Sequence, residues 1–238
     1  MIGCECPVCT SSDPRDQRLR TAALLTHGDL NILIDTGPDL RQQMLRTRVR
    51  HLDAILLTHE HNDHVIGLDD IRPFNFRSGH PMTVYAQARV AADVRRRFEY
   101  IFGEPIPGLP RVDLRMIDAM QSLDIGGLAI QPVEVMHGRL PILGFRFGDL
   151  TYITDMKTIT PAEQQKIYGT RYLIVNALHH RPHPTHMSLA EALTFIDAIH
   201  PQQAWLTHIS HDMGPMADME SQLPAGVSFG YDGLEIEF

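Results

Sequence analysis

One run of seven residues, Thr58-His59-Glu60-His61-Asn62-Asp63-His64, constrains this chain more than any other stretch. It follows Ala54-Ile55-Leu56-Leu57, an unbroken apolar segment of the length and content that suit a buried parallel strand. A strand end is a rigid place to mount side chains, and in layered α/β folds ligands gather at the carboxyl ends of the strands. Borderline-soft divalent metals take imidazole nitrogen with some carboxylate oxygen. His-x-His-x-Asp-His packs enough such donors for two adjacent ions. Because the chain holds 14 histidines, a polar loop with histidine in it by chance is the competing reading. The density of donors and the flanking strand favour the metal.

This motif resembles the signature of the metallo-β-lactamase superfamily, and later segments extend the resemblance. Glu134-Val135-Met136-His137-Gly138, Tyr152-Ile153-Thr154-Asp155 and Trp205-Leu206-Thr207-His208 each end an apolar stretch on a ligand-type residue, in the order the family uses. Taken singly, each is as readily a loop histidine or a capping aspartate. As an ordered set they match. The resemblance implies that His59, His61 and His137 hold one metal, that Asp63, His64 and His208 hold a second, and that Asp155 bridges them. It also implies a four-layer αββα sandwich, an α/β arrangement formed by residues 1–238 as one domain.

Near the start stands Cys4-Glu5-Cys6-Pro7-Val8-Cys9, and there is no other cysteine. A disulfide would strand one thiol, whereas a metal would use all three as thiolates and take a fourth ligand. The N-terminus lacks a basic segment followed by an apolar run, and no stretch is long and apolar enough to span a bilayer. A reducing cytoplasm, where disulfides rarely persist, is therefore expected. On composition alone any histidine serves as the fourth ligand. The cysteine spacing resembles the superfamily branch that contains the phosphoribosyl cyclic phosphate phosphodiesterase of the carbon–phosphorus lyase pathway. That branch completes a structural zinc with a histidine three residues after the last catalytic one, which implies Cys4, Cys6, Cys9 and His211 here. Relatives open with a strand and a Gly-rich loop ahead of the cysteines. That opening strand is expected to be missing before residue 1, either truly or through a misplaced start.

At 238 residues, with 43% apolar and 21% charged content, the chain has the make-up of one soluble enzyme domain. A net charge of −8 argues against a broad polyanion-binding surface. Gly103–Pro110, rich in proline and glycine, reads as a loop and as a point where the chain could divide into two similar halves. Strands are expected at 30–35, 54–58, 82–86, 111–117, 128–136, 144–147, 151–154, 172–176 and 203–207, and helices at 39–48 and 88–100. Ser188-Leu189-Ala190-Glu191 is a capping box opening a helix toward Ile199.

Two metals bridged by Asp155 and a hydroxide would acidify that water and neutralise charge on a phosphodiester. Asp63 is a candidate for orienting the attacking water. The leaving alkoxide needs a proton. The resemblance assigns that role to His186, in Pro184-Thr185-His186-Met187, against the plainer reading of a histidine bonded to backbone near a helix start. Arg72 is expected either to bind phosphate or to pair with Asp69 or Asp70. Arg95-Arg96-Arg97 reads as a solvated face, and His80, His179, His180 and His183 as loop histidines at the mouth. His27, His51 and His200 receive no role, and Asn176 stands where relatives often place aspartate.

The expected function is hydrolysis of a small cyclic phosphodiester such as a phosphoribosyl 1,2-cyclic phosphate or a cyclic nucleotide. The alternatives are an RNA-processing nuclease of the tRNA 3′-endonuclease type and a lactonase or thioesterase of the same fold. Two divalent metals, Mn or Zn, are expected at the catalytic site, with one structural Zn. The expected partner is a small phosphodiester, with no nucleic acid, no membrane and a homodimer.

Overall fold

A computed structural model describes every residue except Pro105. The chain forms two compact units, Arg20–Leu128 (the first unit) and Met1–Leu19 with Ala129–Phe238 (the second unit). The 103–110 patch lies inside the first unit and so does not divide the chain. It is loop as expected, apart from Pro105, which lies outside the described residues.

The strands are β1 (Ala23–His27), β2 (Leu30–Ile34), β3 (Ala54–Leu56), β4 (Met82–Ala86), β5 (Val112–Met116), β6 (Leu123–Ile125), β7 (Leu128–His137), β8 (Leu140–Phe147), β9 (Leu150–Ile153), β10 (Tyr172–Asn176), β11 (Gln203–Thr207) and β12 (Val227–Phe229). The α-helices are α1 (Leu40–Thr47), α2 (Asn62–Val65), α3 (Arg72–Ser78), α4 (Ala88–Arg97), α5 (Glu99–Phe102), α6 (Pro161–Gln165), α7 (Leu189–Ile199) and α8 (Met216–Met219). One sheet has the order β1-β2-β3-β4-β5 and the other β12-β11-β10-β9-β8-β7-β6. The molecule is thus a mixed α/β protein with two sheets.

In the first sheet β2, β3, β4 and β5 are parallel, and β1 is added antiparallel through the two-residue loop Gly28–Asp29. Gly28, at φ 58, occupies the first central position of that hairpin, where a positive φ is needed. β3 is the apolar run of the sequence. Its residues are no more than 1% exposed on either face, which explains why it does not alternate. Leu40, Phe74, Val90 and Val94, from α1, α3 and α4, pack with Leu33, Ile55 and Val84 into one core. The expected helix at 88–100 breaks at Phe98 (φ −113, ψ 41), which buries its ring while α5 continues beyond it.

In the second sheet β9, β10, β11 and β12 are parallel, and β7–β8–β9 is an antiparallel meander. Ile153, Leu173, Val175 and Leu206 form a separate core with Leu189, Ala192 and Ile196 of α7. α7 starts at the expected capping box, in which the Ser188 hydroxyl meets the Glu191 N–H and the Glu191 carboxylate meets the Ser188 N–H. Parallel strands gather their carboxyl ends at one edge of a sheet, and each unit mounts its candidate ligands there. Among the described residues no helix is long and apolar enough to cross a membrane.

Candidate metal centre

In the first unit, β2 and β3 run parallel with Ile34 opposite Leu56, so Asp35 and Thr58 leave the sheet close together. Asp35 adopts a left-handed backbone (φ 65), which aspartate tolerates better than most residues, and its carboxylate is fully buried. It accepts hydrogen bonds from Thr58 N (2.8 Å), Thr58 Oγ1 (2.9 Å) and His64 Nδ1 (2.7 Å). Burial pushes the Asp35 carboxyl upward in pKa, and His64 and Thr58 pull it back. The Thr58 hydroxyl spends its one hydrogen on Asp35 and is left to accept from His59 Nδ1 at 3.0 Å. Both imidazoles therefore carry hydrogen on Nδ1 and present the lone pair of Nε2. His59 Nε2 lies 3.1 Å from His61 Nδ1, and His64 Nε2 lies 3.5 Å from Asp63 Oδ2. A tetrahedral ion bonded at about 2.05 Å spaces its donors about 3.3 Å apart, so these pairs fit a divalent cation.

The intervening residues of the motif are gripped from the opposite side. Glu60 pairs with Arg89, and Asn62 Oδ1 accepts from Arg97, both from α4. The exit of the loop is fixed by Thr36, which donates to His64 O at 2.7 Å and whose carbonyl accepts from Gly67 N at 2.8 Å. No side chain fits between these backbones, because a Cβ on Gly37 would sit 2.3 Å from Asp63 O and one on Gly67 2.0 Å from Gly37 O. Beside Asp63 opens a groove of about 480 Å³ lined by Arg20, Pro38, Asn62, Asp63 and Ile66.

In the second unit the candidates sit at the ends of three different strands. Asp155 follows β9 and His208 follows β11, both with left-handed backbones (φ 55 and 53). The Asp155 carboxylate is buried. Its Oδ2 accepts from Thr154 Oγ1 at 2.7 Å, while Oδ1 lies 2.8 Å from His186 Nε2 and 3.1 Å from His208 Nε2. His137, which ends β7, donates from Nδ1 to Asp155 O (2.8 Å) and Thr185 O (3.0 Å), so its Nε2 carries the lone pair that can face a cation. One ligand atom each from His137, Asp155 and His186 fall within 4.8 Å of one another. Asn176 explains how Asp155 keeps its unusual backbone. Its amide accepts from Met156 N (2.7 Å) and donates to Met156 O (3.0 Å), clamping the next residue through both of its backbone groups. An aspartate there could accept but not donate.

Within the same unit Cys4, Cys6, Cys9 and His211 bring one sulfur or nitrogen each to within 4.8 Å of one another. His211 Nδ1 lies 3.5 Å from Cys4 Sγ and 3.4 Å from Cys6 Sγ. Zinc bonds of about 2.3 Å to sulfur and about 2.05 Å to nitrogen require about 3.6 Å between such atoms, so the donor set fits a closed zinc site. The Cys9 N–H and then His211 lower the Cys6 thiol to about 6. Cys4 is raised: the Cys6 N–H draws it down, but its contacts with Cys6 and Cys9 and burial outweigh that.

Other expectations resolve individually. Arg72 reaches Gly108 O and Asp69 accepts from Tyr100, and among the described residues Arg72 makes no ion pair with Asp69 or Asp70. Arg97 is not simply solvated but bonds Asn62 and Asp93, and Arg95 stacks over Phe102. His80 is exposed, His179 is buried, and His180 Nε2 donates to Met213 O. His200 ends α7 in a left-handed cap, and His51 contacts Asp29 O. The residues that sequence reading missed are Asp35, Thr58 and the α4 arginines. Only Asp35 carried a signal, an acid at the end of an alternating strand just before Thr36-Gly37.

Comparison with known proteins places these features among relatives. The family model described as "Beta-lactamase superfamily domain" matches residues 30–209. An octanoyltransferase of Porphyromonas gingivalis is 40% identical over 237 residues, covering 98% of this chain and 48% of that protein. A ribonuclease Z of Bradyrhizobium diazoefficiens is 32% identical over 142 residues, covering 58% of this chain and 47% of its own length. The chain thus spans about half the length of these curated relatives. A crystal structure described as a new diphosphatase from the PhnP family superposes with a TM-score of 0.93 at 38% identity, covering 100% of this chain and 91% of that one.

Proposed function

The chain belongs to the metallo-β-lactamase superfamily, in its PhnP-like branch, and on that premise we propose that this hydrolase is a metal-dependent phosphodiesterase acting on a small, cyclic or nucleotide-like phosphodiester. The observation that carries the reading is the whole-length likeness to a PhnP-family diphosphatase. In this reading His59, His61, Asp63 and His64 of the first unit, and His137, Asp155 and His208 of the second, are the side chains that would hold the divalent cations. The cations, when bound, would supply Lewis acidity that acidifies water and offsets charge on a phosphoryl oxygen.

The remaining roles fall to the chain's own side chains. Asp63, partly exposed at the groove, orients the attacking water by accepting its hydrogen bond. His186, with Nε2 on the Asp155 side of its ring, gives a proton to the leaving oxygen. Arg20 makes no ion pair among the described residues and lines the same groove as Asp63, so it meets substrate anion, while Ile66 and Pro38 offer an apolar floor for a sugar or base. Cys4, Cys6, Cys9 and His211 take one zinc, which ties the N-terminal segment to the loop that aims His208.

A nuclease is the second reading, favoured by the ribonuclease Z likeness and opposed by the net charge of −8. The octanoyltransferase name is not carried over, since more than half of that protein lies outside the match. The test is a panel of bis-p-nitrophenyl phosphate, 2′,3′-cyclic AMP, a ribose 1,2-cyclic phosphate, a precursor tRNA and nitrocefin, offered to purified protein with manganese or zinc. Turnover of the small diesters, abolished by Asp63→Ala, is expected. Turnover of the tRNA alone would replace the reading with the nuclease, and turnover of the lactam alone would end it.

A further inference from the structure

The first sheet ends in an open edge that the proposed reaction does not use. β5 is its last strand, and among the described residues it pairs with β4 alone. Arg111 O accepts from Met82 N (2.8 Å) and Ile117 N donates to Ala86 O (2.9 Å). By the alternation of a parallel ladder, the odd-numbered residues between them turn their backbone groups toward β4. Val112, Leu114 and Met116 therefore point theirs outward, and among the described residues nothing bonds them. Natural edges are usually blunted by proline, lysine or a bulge. β5 has none of these, and its register with β4 runs unbroken from Met82 opposite Val112 to Ala86 opposite Met116. Its two charges, Asp113 and Arg115, share one face, with side chains 46% and 55% exposed. Arg115 brings Nε and Nη2 to Asp113 Oδ2, each at 2.8 Å, which leaves Asp113 Oδ1 without a partner among the described residues. On the other face Val112 and Leu114 pack on the core, while Met116 is 72% exposed.

We propose that β5 is a self-association edge, onto which a second copy of this chain adds its own β5 antiparallel, about a two-fold axis at Leu114. In that register Leu114 faces Leu114 of the second copy and Val112 faces Met116 of the second copy. The outward N–H and C=O groups of both strands are then all paired. Asp113 falls opposite Arg115 of the second copy at a non-hydrogen-bonded position, where facing side chains come closest. The charges of the two copies close into a ring of alternating sign. A slide of two residues either way would set Asp113 against Asp113, or Arg115 against Arg115. A slide of one would turn the outward groups of each strand onto the wrong residues of the other. Met116 meanwhile covers its exposed side chain against Val112 of the second copy. The contact is isologous, so it closes as a pair and does not propagate into a fibre.

Sedimentation equilibrium of the full-length, metal-loaded protein tests this. A seam of five residues a side is smaller than a standard interface, so the parent should dimerise weakly, with a Kd of about 10–100 μM. Asp113→Arg and Arg115→Asp should each weaken that dimer about tenfold, because each sets like charges across the axis. Mixed in equal amounts, these two variants should associate at least as well as the parent, since every charged pair across the seam is then of opposite sign. The double variant Asp113→Arg/Arg115→Asp should recover the parent's dimer. Amide exchange reads the geometry directly. Protection of Leu114 and Met116 should rise with protein concentration, while Asp113 and Arg115, bonded to β4, are protected at every concentration. A parent that stays monomeric up to about 500 μM, a dimer indifferent to the charge reversals, or a mixture of the two variants that fails to associate overturns the proposal.

Discussion

The two units hold their ligands by different means. In the first unit the ligands are nearly contiguous, and side chains support them: Asp35 holds His64, Thr58 holds His59, and Arg89 and Arg97 grip Glu60 and Asn62. In the second unit the ligands are scattered over three strand ends, and main-chain groups take part in most of their support. His137 leans on two carbonyls, and Asp155 stands in a left-handed turn locked by the Asn176 clamp on Met156. Side-chain support can be deleted by one substitution. In the first unit the supporting side chain acts on the ligand side chain itself, whereas in the second the Asn176 amide acts on the backbone next to the ligand, so the two halves should fail differently.

The largest effect is expected at Asp35. Asp35→Ala removes an acceptor shared by three buried donors, leaving Thr58 and His64 without it. Breaking such a buried, charge-assisted set costs about 3 kcal/mol. Loss of an orienting carboxylate lowers metal affinity by about 100-fold. Thermal unfolding without metal and a metal titration check both numbers. A variant within about 0.5 kcal/mol of the parent would mean that the carboxylate is not the anchor of the first half.

Asn176→Asp probes the other half. The change removes the donor to Met156 O and brings a carboxylate against that carbonyl in a site of 0% exposure. A cost of about 2 kcal/mol follows, with weaker metal binding through a displaced Asp155. Asn176→Ala should be milder for charge but equally damaging to the turn. If Asn176→Asp folds and binds metal like the parent, the backbone of Asp155 is held by something other than this clamp.

This contrast also explains what could be read from the chain. The ligand loop was legible because a parallel strand and its carboxyl-end donors are neighbours in sequence. His137, Asp155 and His208 were legible only as an ordered set matched to a family, since each alone is an ordinary polar residue after a strand. Asp35 escaped because its role depends on β2 pairing beside β3, a register that its own segment does not encode. Glu60 and Asn62 looked like spacers because their partners come from α4, 29 and 35 residues on in the chain. β1, β6, β12 and α6 were missed for a plainer reason. They are short and partly exposed, so neither alternation nor helical period has room to show.

A smaller effect is expected from α4. Arg89→Ala and Arg97→Ala each release one spacer residue while leaving every metal donor in place. Metal affinity should fall about tenfold in each, with the unfolding midpoint nearly unchanged, because the pairs lie at a partly exposed surface. The double variant should exceed the sum if the two grips act on one loop. Simple additivity would show that Glu60 and Asn62 are held independently.

The least effect on turnover, and the sharpest test of the second unit, comes from the cysteine cluster. Zinc there would stiffen the loop that carries His208 and His211, so Cys6→Ser or His211→Ala should reduce zinc content by one ion per chain and lower turnover only a few-fold, on the order of 1 kcal/mol. The pH dependence has a definite sign. The folded Cys6 thiol sits near 6, below its ordinary value of 9.0, because the Cys9 N–H and His211 favour the thiolate. Its contribution is therefore complete above the ordinary value and disappears as pH falls through about 6. Protons compete with zinc for this thiolate, so zinc affinity in the parent should weaken progressively as pH falls below about 6, whereas Cys6→Ser should hold zinc less tightly at every pH. If the parent loses its zinc well above that point, Cys6 is not the thiolate that secures the site, and the tether on His208 must come from elsewhere in the loop.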